Sequence, residues 1–319
     1  MTSYHELASA DRAEWLQQRR AGIGASEIPA VMGRSPWTSP FDLYWRKRAD
    51  PDESGGNEYT AWGHRLEPVI AAHFAEQHPE FEVFTKVGLC VNDDRDWQRC
   101  SPDGLVAESD DVLSAVAGLE VKNAHNREGW DVDDLQGIPL HYYDQVQWSM
   151  DVTGLPVWWV AVLFGGNTYA EYEVRYDALH AKILREQGEL FWTALVEQRP
   201  PPLDSHDATA RRLRELHPDV DDVEVEVPDE LAARYVDACA AVKGASEEKK
   251  LAENQLRAAI AGGRVAVTDT GVKVASRSVY TVDRIDVKEL RAEHPDLAAE
   301  YLKQTVVNKI TPARRAHAH

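Results

Sequence analysis

Apolar and polar positions take turns in Gly118-Leu-Glu-Val-Lys122. Leu119 and Val121 fall on one side and Glu120 and Lys122 on the other, as in a half-buried strand. The same period of two runs through Phe81, Val83, Val87, Leu89 and Val91 and predicts a further strand. Residues 157–164 form an unbroken apolar run, which fits a central strand covered on both faces. Gly165-Gly-Asn167 then turns the chain into a more amphipathic strand over 168–174. Elsewhere the spacing is helical. Leu66, Ile70 and Phe74, with Val69 added to the stripe, predict a helix ending near Gln77. Pro68 disfavours helical backbone in the residue before it, so this helix is expected to begin or kink near Glu67. Helices are also predicted over 6–20, 37–49, 141–150 and 177–198, the last stopped by Pro200-Pro-Pro202. A short helix is expected from Ser26, as its N-cap, to Gly33.

The character changes past Pro202, which sets an expected domain boundary between 203 and 204. Leu231, Tyr235, Ala238 and Val242 lie in one helical stripe, and Leu256 with Ile260 continues one beyond Gly244. That spacing predicts a helical hairpin. Valines around Asp269-Thr-Gly271 predict a β-hairpin, and short helices follow near 287–293 and 297–304. His317 and His319 read as a frayed tail rather than metal ligands.

Several polar positions carry candidate chemistry. Asp103 precedes a glycine at the expected bend of a strand adjacent to Glu120 and Lys122. Pairing of the two strands would bring both carboxylates to one hard cation with the amine beside it. Oxygen ligands with open water positions suit Mg²⁺. Upstream, Arg20 and the helix expected at Ser26 offer a charged fork and backbone N–H groups to a phosphate. Gln145, on its own helix, can hold a phosphate oxygen or a metal-bound water. Each has a plainer reading when taken singly: a solvated strand face, a surface carboxylate at Glu67, a helix cap at Ser26, an exposed Gln145.

Together, Arg20…Gly-Ile-Gly-Ala-Ser26, Trp62-Gly…Glu67, Ser101-Pro-Asp-Gly104, Glu120-Val-Lys122 and Gln145-Val-Gln147 fall in one order. Over roughly residues 10–200 that order resembles the YqaJ-type viral recombinase family of the PD-(D/E)XK nuclease superfamily, which is similar to phage lambda exonuclease. The resemblance implies a restriction-endonuclease-like α/β core, a mixed central sheet flanked by helices, over 1–203. The remainder, 204–319, would be a smaller α+β accessory domain for assembly or partner contact. The implied activity is Mg²⁺-dependent 5′→3′ digestion of linear double-stranded DNA, with Mn²⁺ as a substitute. Asp103, Glu120 and the Val121 carbonyl would bind metal, Glu67 would serve a second metal, and Lys122 would act on the water. Arg20, Ser26, Ser101 and Gln145 match the family's 5′-phosphate pocket. Pro68 and Asn123 depart from the family pattern. Implied partners are DNA ends, a single-strand annealing protein and further copies of the chain in a ring such as a trimer.

Composition changes this picture in two ways. With 35 Lys and Arg against 54 Asp and Glu, the net charge is −19, so any attraction to nucleic acid must be local. Arg12, Arg19 and Arg20 cluster, as do Arg46, Lys47 and Arg48, and Arg211, Arg212 and Arg214. Cys90, Cys100 and Cys239 are too scattered for a disulfide framework or metal cluster. No apolar run of spanning length occurs, and a cytoplasmic protein, phage- or prophage-encoded, is expected in a bacterial host. Two other functions fit the same residues: a structure- or site-specific endonuclease, and an inactive nuclease-like recombination scaffold.

Overall fold

The computed structural model describes residues 4–49, 58–131 and 135–313. Residues 50–57, a polar, glycine-bearing stretch that reads as a loop, and the terminal His317 and His319 lie outside them. The chain divides into two compact units, residues 1–217 and 218–319.

The first unit is built on two sheets. A mixed five-stranded sheet runs in the order β3 (Glu82–Phe84), β6 (Gly104–Ala107), β7 (Ala115–Ala124), β8 (Val157–Phe164), β9 (Thr168–Arg175). Only β7 and β8 are parallel; the other neighbours are antiparallel. Trp158, Val160, Ala161 and Val162 on β8 have no exposed surface, as the unbroken apolar run required. Gly118 lets β8 come close: a β-carbon there would meet the Trp158 ring at 2.4 Å. The second sheet, of four strands, is ordered β1 (Tyr4–Leu7), β4 (Leu89–Asn92), β5 (Gln98–Cys100), β2 (Ile23–Gly24).

Helix α5 (Leu140–Thr153) contributes to the cores on both sides of it. Trp148 and Val152 join Ile23, Tyr44 and Leu184, while Val146 and Met150 join Trp158 and Val160. Every side chain from Tyr143 to Thr153 is therefore buried. Most of its polar members have internal partners, Asp144 Oδ1 in Arg34 and His180 and Asp151 in Gln98, Tyr176 and Arg185, while the buried Asp144 Oδ2 has none. On the other face of the five-stranded sheet, α4 (Glu58–Gln77) seats Ile70, Ala71 and Phe74 against Leu119 and Val121. Helices α1 (Arg12–Arg20), α2 (Ile28–Val31), α3 (Pro40–Arg48) and α6 (Ala178–Val196) complete the layers. This is a mixed sheet flanked by helices, as the resemblance implied.

Several expectations are corrected. Helix α4 runs continuously from Glu58, with Pro68 inside it and Val69 exposed, because packing of its apolar stripe on β7 outweighs the local cost of the proline. The predicted strand over 81–91 is two strands in different sheets, an assignment that alternation alone does not encode. The helix expected over 6–20 is β1 followed by α1, capped by Asp11, whose side chain accepts the Glu14 N–H at 2.9 Å. The boundary at 203/204 moves to 217/218. Helix α7 (Asp207–Leu216) belongs to the first unit: Arg212 pairs at 2.9 Å with buried Asp42, and Thr209 donates to Ser39 at 2.7 Å.

In the second unit a continuous helix, α8 (Asp229–Ile260), stands where a helical hairpin was expected. A helix-interior glycine costs only about 1 kcal/mol, so Gly244 does not break it. Lys243–Glu247 and Lys249–Glu253 pairs, one turn apart, run past the same point. The β-hairpin is present as β10 (Val265–Val267) and β11 (Lys273–Ser276), followed by α9 (Val287–Glu293) and α10 (Pro295–Glu300). No helix of the described residues is long and apolar enough to cross a membrane.

Candidate active site

Strand β7 places the central residues. Leu119 and Val121 face α4, so the period of two turns Glu120 and Lys122 to the opposite face, toward α5. Gly104 of β6 pairs with Leu119, which sets Asp103, the residue just before β6, beside Glu120. The Asp103 carboxylate accepts the backbone N–H of Val121 at 2.7 Å. Glu120, 4% exposed, accepts the Gln145 amide at 2.6 Å and forms an ion pair with the Lys122 ammonium. Gln145 is thus a buried partner of Glu120, not an exposed helix residue. The Lys122 ammonium lies 4.9 Å from the centre of the Tyr142 ring.

This packing makes the site electrostatically tense. Burial, followed by the Glu120 carboxylate, pushes the Asp103 carboxyl well above the usual carboxylate range, and Glu67 pushes in the same direction. Burial alone would lower the Lys122 ammonium, but Glu120 and Asp103 outweigh it and raise it. A buried Glu120 beside a half-buried Asp103 that resists ionisation forms a receptor for additional positive charge. Among the described residues no three His, Cys, Asp or Glu side chains are close enough to ligate one ion together. Two carboxylates with a backbone carbonyl and waters are, however, the usual protein share of a Mg²⁺ shell. Glu67 stands on α4, partly exposed, with His64 at 3.7 Å.

A second cluster flanks the first. Strands β2 and β5 pair in parallel with Gly24 opposite Arg99, so Ser26 and Ser101, each two residues further on, leave the sheet at the same end. The Ser101 hydroxyl is buried and has no hydrogen-bond partner in the protein. Ser26 sits inside the 3-10 turn Ala25–Glu27, which packs on α5; Gly24, not Ser26, is the cap. Glu27 closes that turn, accepting the Gly24 N–H at 2.8 Å and pairing with Lys47 at 2.8 Å. Burial opposes ionisation of Glu27, yet the Lys47 and Arg19 charges hold its carboxyl below the usual range.

The structure corrects the arginine of this cluster. Arg19 donates to the Ser26 hydroxyl at 2.9 Å, whereas Arg20 turns away to the Lys47 and Ala49 carbonyls at the end of α3. Sequence reasoning also passed over Glu27 and Tyr142, and counted Lys47 only as one of a basic cluster. A signal for the first existed: the glutamate three residues after Gly24 has capping-box spacing. Nothing local in the sequence marks Lys47 or Tyr142.

Residues 14–156 match the model of the YqaJ-like viral recombinase domain. The YqaJ protein of Bacillus subtilis (strain 168) is 24% identical over 303 residues, covering 92% of each chain. Similar solved structures include an alkaline exonuclease, LHK-Exo, from Laribacter hongkongensis, with a TM-score of 0.48 and 20% identity over 64% of this chain and 98% of that one. A phage-related exonuclease from Haemophilus somnus has a TM-score of 0.38 and 9% identity, covering 61% and 96%. The matched stretch includes Asp103, Glu120, Lys122, Glu67 and Gln145, and also Arg19, Ser26 and Ser101.

Proposed function

We propose that this YqaJ-like domain is a Mg²⁺-dependent deoxyribonuclease that digests linear double-stranded DNA from a 5′ end and leaves 3′ single strands for recombination by annealing. The observation that carries this reading is that the Asp103 carboxyl, held on the Val121 N–H, lies near enough to Glu120 and Lys122 to feel both charges, with Lys122 paired to Glu120. Asp103, Glu120 and the Val121 carbonyl would hold the first ion and Glu67 a second. Bound Mg²⁺, or Mn²⁺ in its place, would neutralise phosphate charge and stabilise the attacking and leaving oxygens.

The chain's own residues would do the rest. Gln145 fixes the Glu120 carboxylate through one amide hydrogen and can give its other to a phosphate oxygen. The Lys122 ammonium, held against Glu120 and the Tyr142 ring, orients the attacking water and stabilises charge developing at phosphorus. The buried, unpartnered Ser101 hydroxyl, Ser26 and the Arg19 guanidinium supply donors to a terminal 5′ phosphate and set the register of cleavage. Arg20 supports this pocket from behind by tying α1 to the end of α3. Assembly into a ring would hold the enzyme on its substrate, and a single-strand annealing protein would take up the exposed strand. The test is digestion of duplexes labelled at either strand end, with and without a 5′ phosphate, beside covalently closed circles. Release of label from 5′-phosphorylated linear ends alone is expected. Cutting of circles would identify an endonuclease instead.

A further inference from the structure

In the second unit, the last turns of α8 and the strand β11 border a cleft of about 530 Å³. Leu256, Arg257 and Ile260 line it from the helix, and Ser276 and Val279 from β11 and the chain just beyond. Strands β10 and β11 form a two-stranded sheet, so β11 has a free edge. Arg277 donates its backbone N–H to the Arg264 carbonyl at 2.8 Å, and Ala275 stands opposite Ala266. In an antiparallel ladder the residue between two such pairs turns its own N–H and C=O outward, so Ser276 offers both to a further strand. A groove between a helix and an open strand edge suits the addition of an extended peptide. This one is basic: Arg257 and Arg277 line it, while Glu253 is paired to Lys249 at 3.5 Å.

The same unit contains a strand-like sequence without a sheet. Val223, Val225 and Val227 alternate with Asp222, Glu224 and Glu226, and Asp221 adds a further carboxylate. The segment lies in no strand, and Val220 and these three valines are all more than half exposed. Its acidic side chains and the basic cleft are complementary in charge, but the segment cannot reach the cleft of its own chain. Pro228 joins it to the start of α8, and the cleft begins at Glu253. The helix holds these two points about 38 Å apart. Residues 220–227, laid back along the helix and fully extended, span at most about 28 Å. The occupant must therefore come from another chain.

We propose that residues 220–227 of a second copy lie in this cleft as a strand added to β11, exchanged reciprocally by two chains whose α8 helices run antiparallel. Antiparallel helices set the start of one α8 beside the end of the other, which delivers the segment to the cleft. The contact is isologous, so both clefts are filled and the exchange closes at two chains. Valines pack on Leu256 and Ile260, and the carboxylates meet Arg257 and Arg277. The pairing also covers Leu231, Tyr235 and Val242, which one chain alone leaves exposed on a helix with no buried side chain. The proposal concerns the second unit alone and is independent of the nuclease reading.

The test co-expresses two full-length copies with different affinity tags, one of them carrying the photoreactive p-benzoylphenylalanine in place of Val225. Crosslinks between the two tagged chains, from position 225 to residues 253–260 or 275–279, are expected. Crosslinks within one chain only, or to neither stretch, would overturn the proposal. Sedimentation equilibrium supplies a second reading. Glu224→Lys combined with Glu226→Lys should raise the dissociation constant at least about tenfold, and adding Arg257→Glu should recover most of the loss. A wild-type chain that sediments as a monomer, unchanged association in the charge-reversed variant, or loss without recovery would each contradict the exchange.

Discussion

Arg19 and Ser26 meet at 2.9 Å across a bend of the chain, and the neighbouring Arg20 points the other way, into the carboxyl end of α3. Consecutive arginines thus have separable tasks. Arg19→Ala is expected to slow digestion of 5′-phosphorylated ends and to reduce the preference for phosphate over hydroxyl by about 1.5–3 kcal/mol, the range for a hydrogen bond to a charged group. Arg20→Ala should keep that preference and lower thermal stability instead. Initial rates on matched phosphorylated and hydroxylated duplexes, with a melting curve for each variant, separate the two.

Glu27 is expected to give the first unit part of its acid sensitivity. Its carboxyl is held below the ordinary value of 4.5, so its stabilisation is complete above that pH and is lost as pH falls through the lowered folded value. Glu27→Gln leaves Lys47 buried without its partner and should cost about 3 kcal/mol near neutral pH. The cost should shrink in acid. Urea denaturation at a series of pH values from 7 down to 3 reads this as converging midpoints; a gap that widens in acid would contradict it.

Helix α7 should be needed for the first unit's stability although it lies past the proline run. Chains ended after residue 203 lose Arg211 and Arg212, leaving the Asp42 carboxylate, 2% exposed, without either arginine. They should be less stable by about 3 kcal/mol, whereas chains ended after residue 217 should melt as cooperatively as the full protein. Differential scanning calorimetry of the two truncations distinguishes the boundaries.

Much of this architecture was legible in the sequence because it is periodic. The alternation at 118–122 identified β7 and the shared face of Glu120 and Lys122, and the apolar run at 157–164 identified β8. What escaped depends on contacts between distant segments. Phe81, Val83, Val87, Leu89 and Val91 keep one period of two, yet β3 pairs with β6 and β4 with β1 and β5, and no local pattern records that choice. Arg19 and Arg20 are chemically identical; only the direction in which α1 leaves its last turn decides which reaches Ser26. Gln145 looks like a surface residue until a sheet on either side of α5 buries it.

Lys122 should act on turnover rather than on affinity. Its ammonium is paired to Glu120 inside the site, so Lys122→Ala removes charge needed when the phosphate reacts while the outer contacts to DNA persist. A fall in kcat of at least about a hundredfold, with DNA affinity within a few-fold of wild type, is expected. Equal losses in kcat and in affinity would make Lys122 a phosphate anchor instead.

The central claim is that Asp103 and Glu120 form the hydrolytic centre of an end-dependent nuclease. The most direct measurement follows release of label from linear duplex DNA in Mg²⁺ by wild-type protein, Asp103→Asn and Glu120→Gln, with covalently closed circles alongside. Far-ultraviolet circular dichroism confirms that each protein is folded. Steady release from 5′ ends by wild type, none detectable in either variant and intact circles throughout are predicted. Wild-type rates in a folded Asp103→Asn or Glu120→Gln would contradict the account.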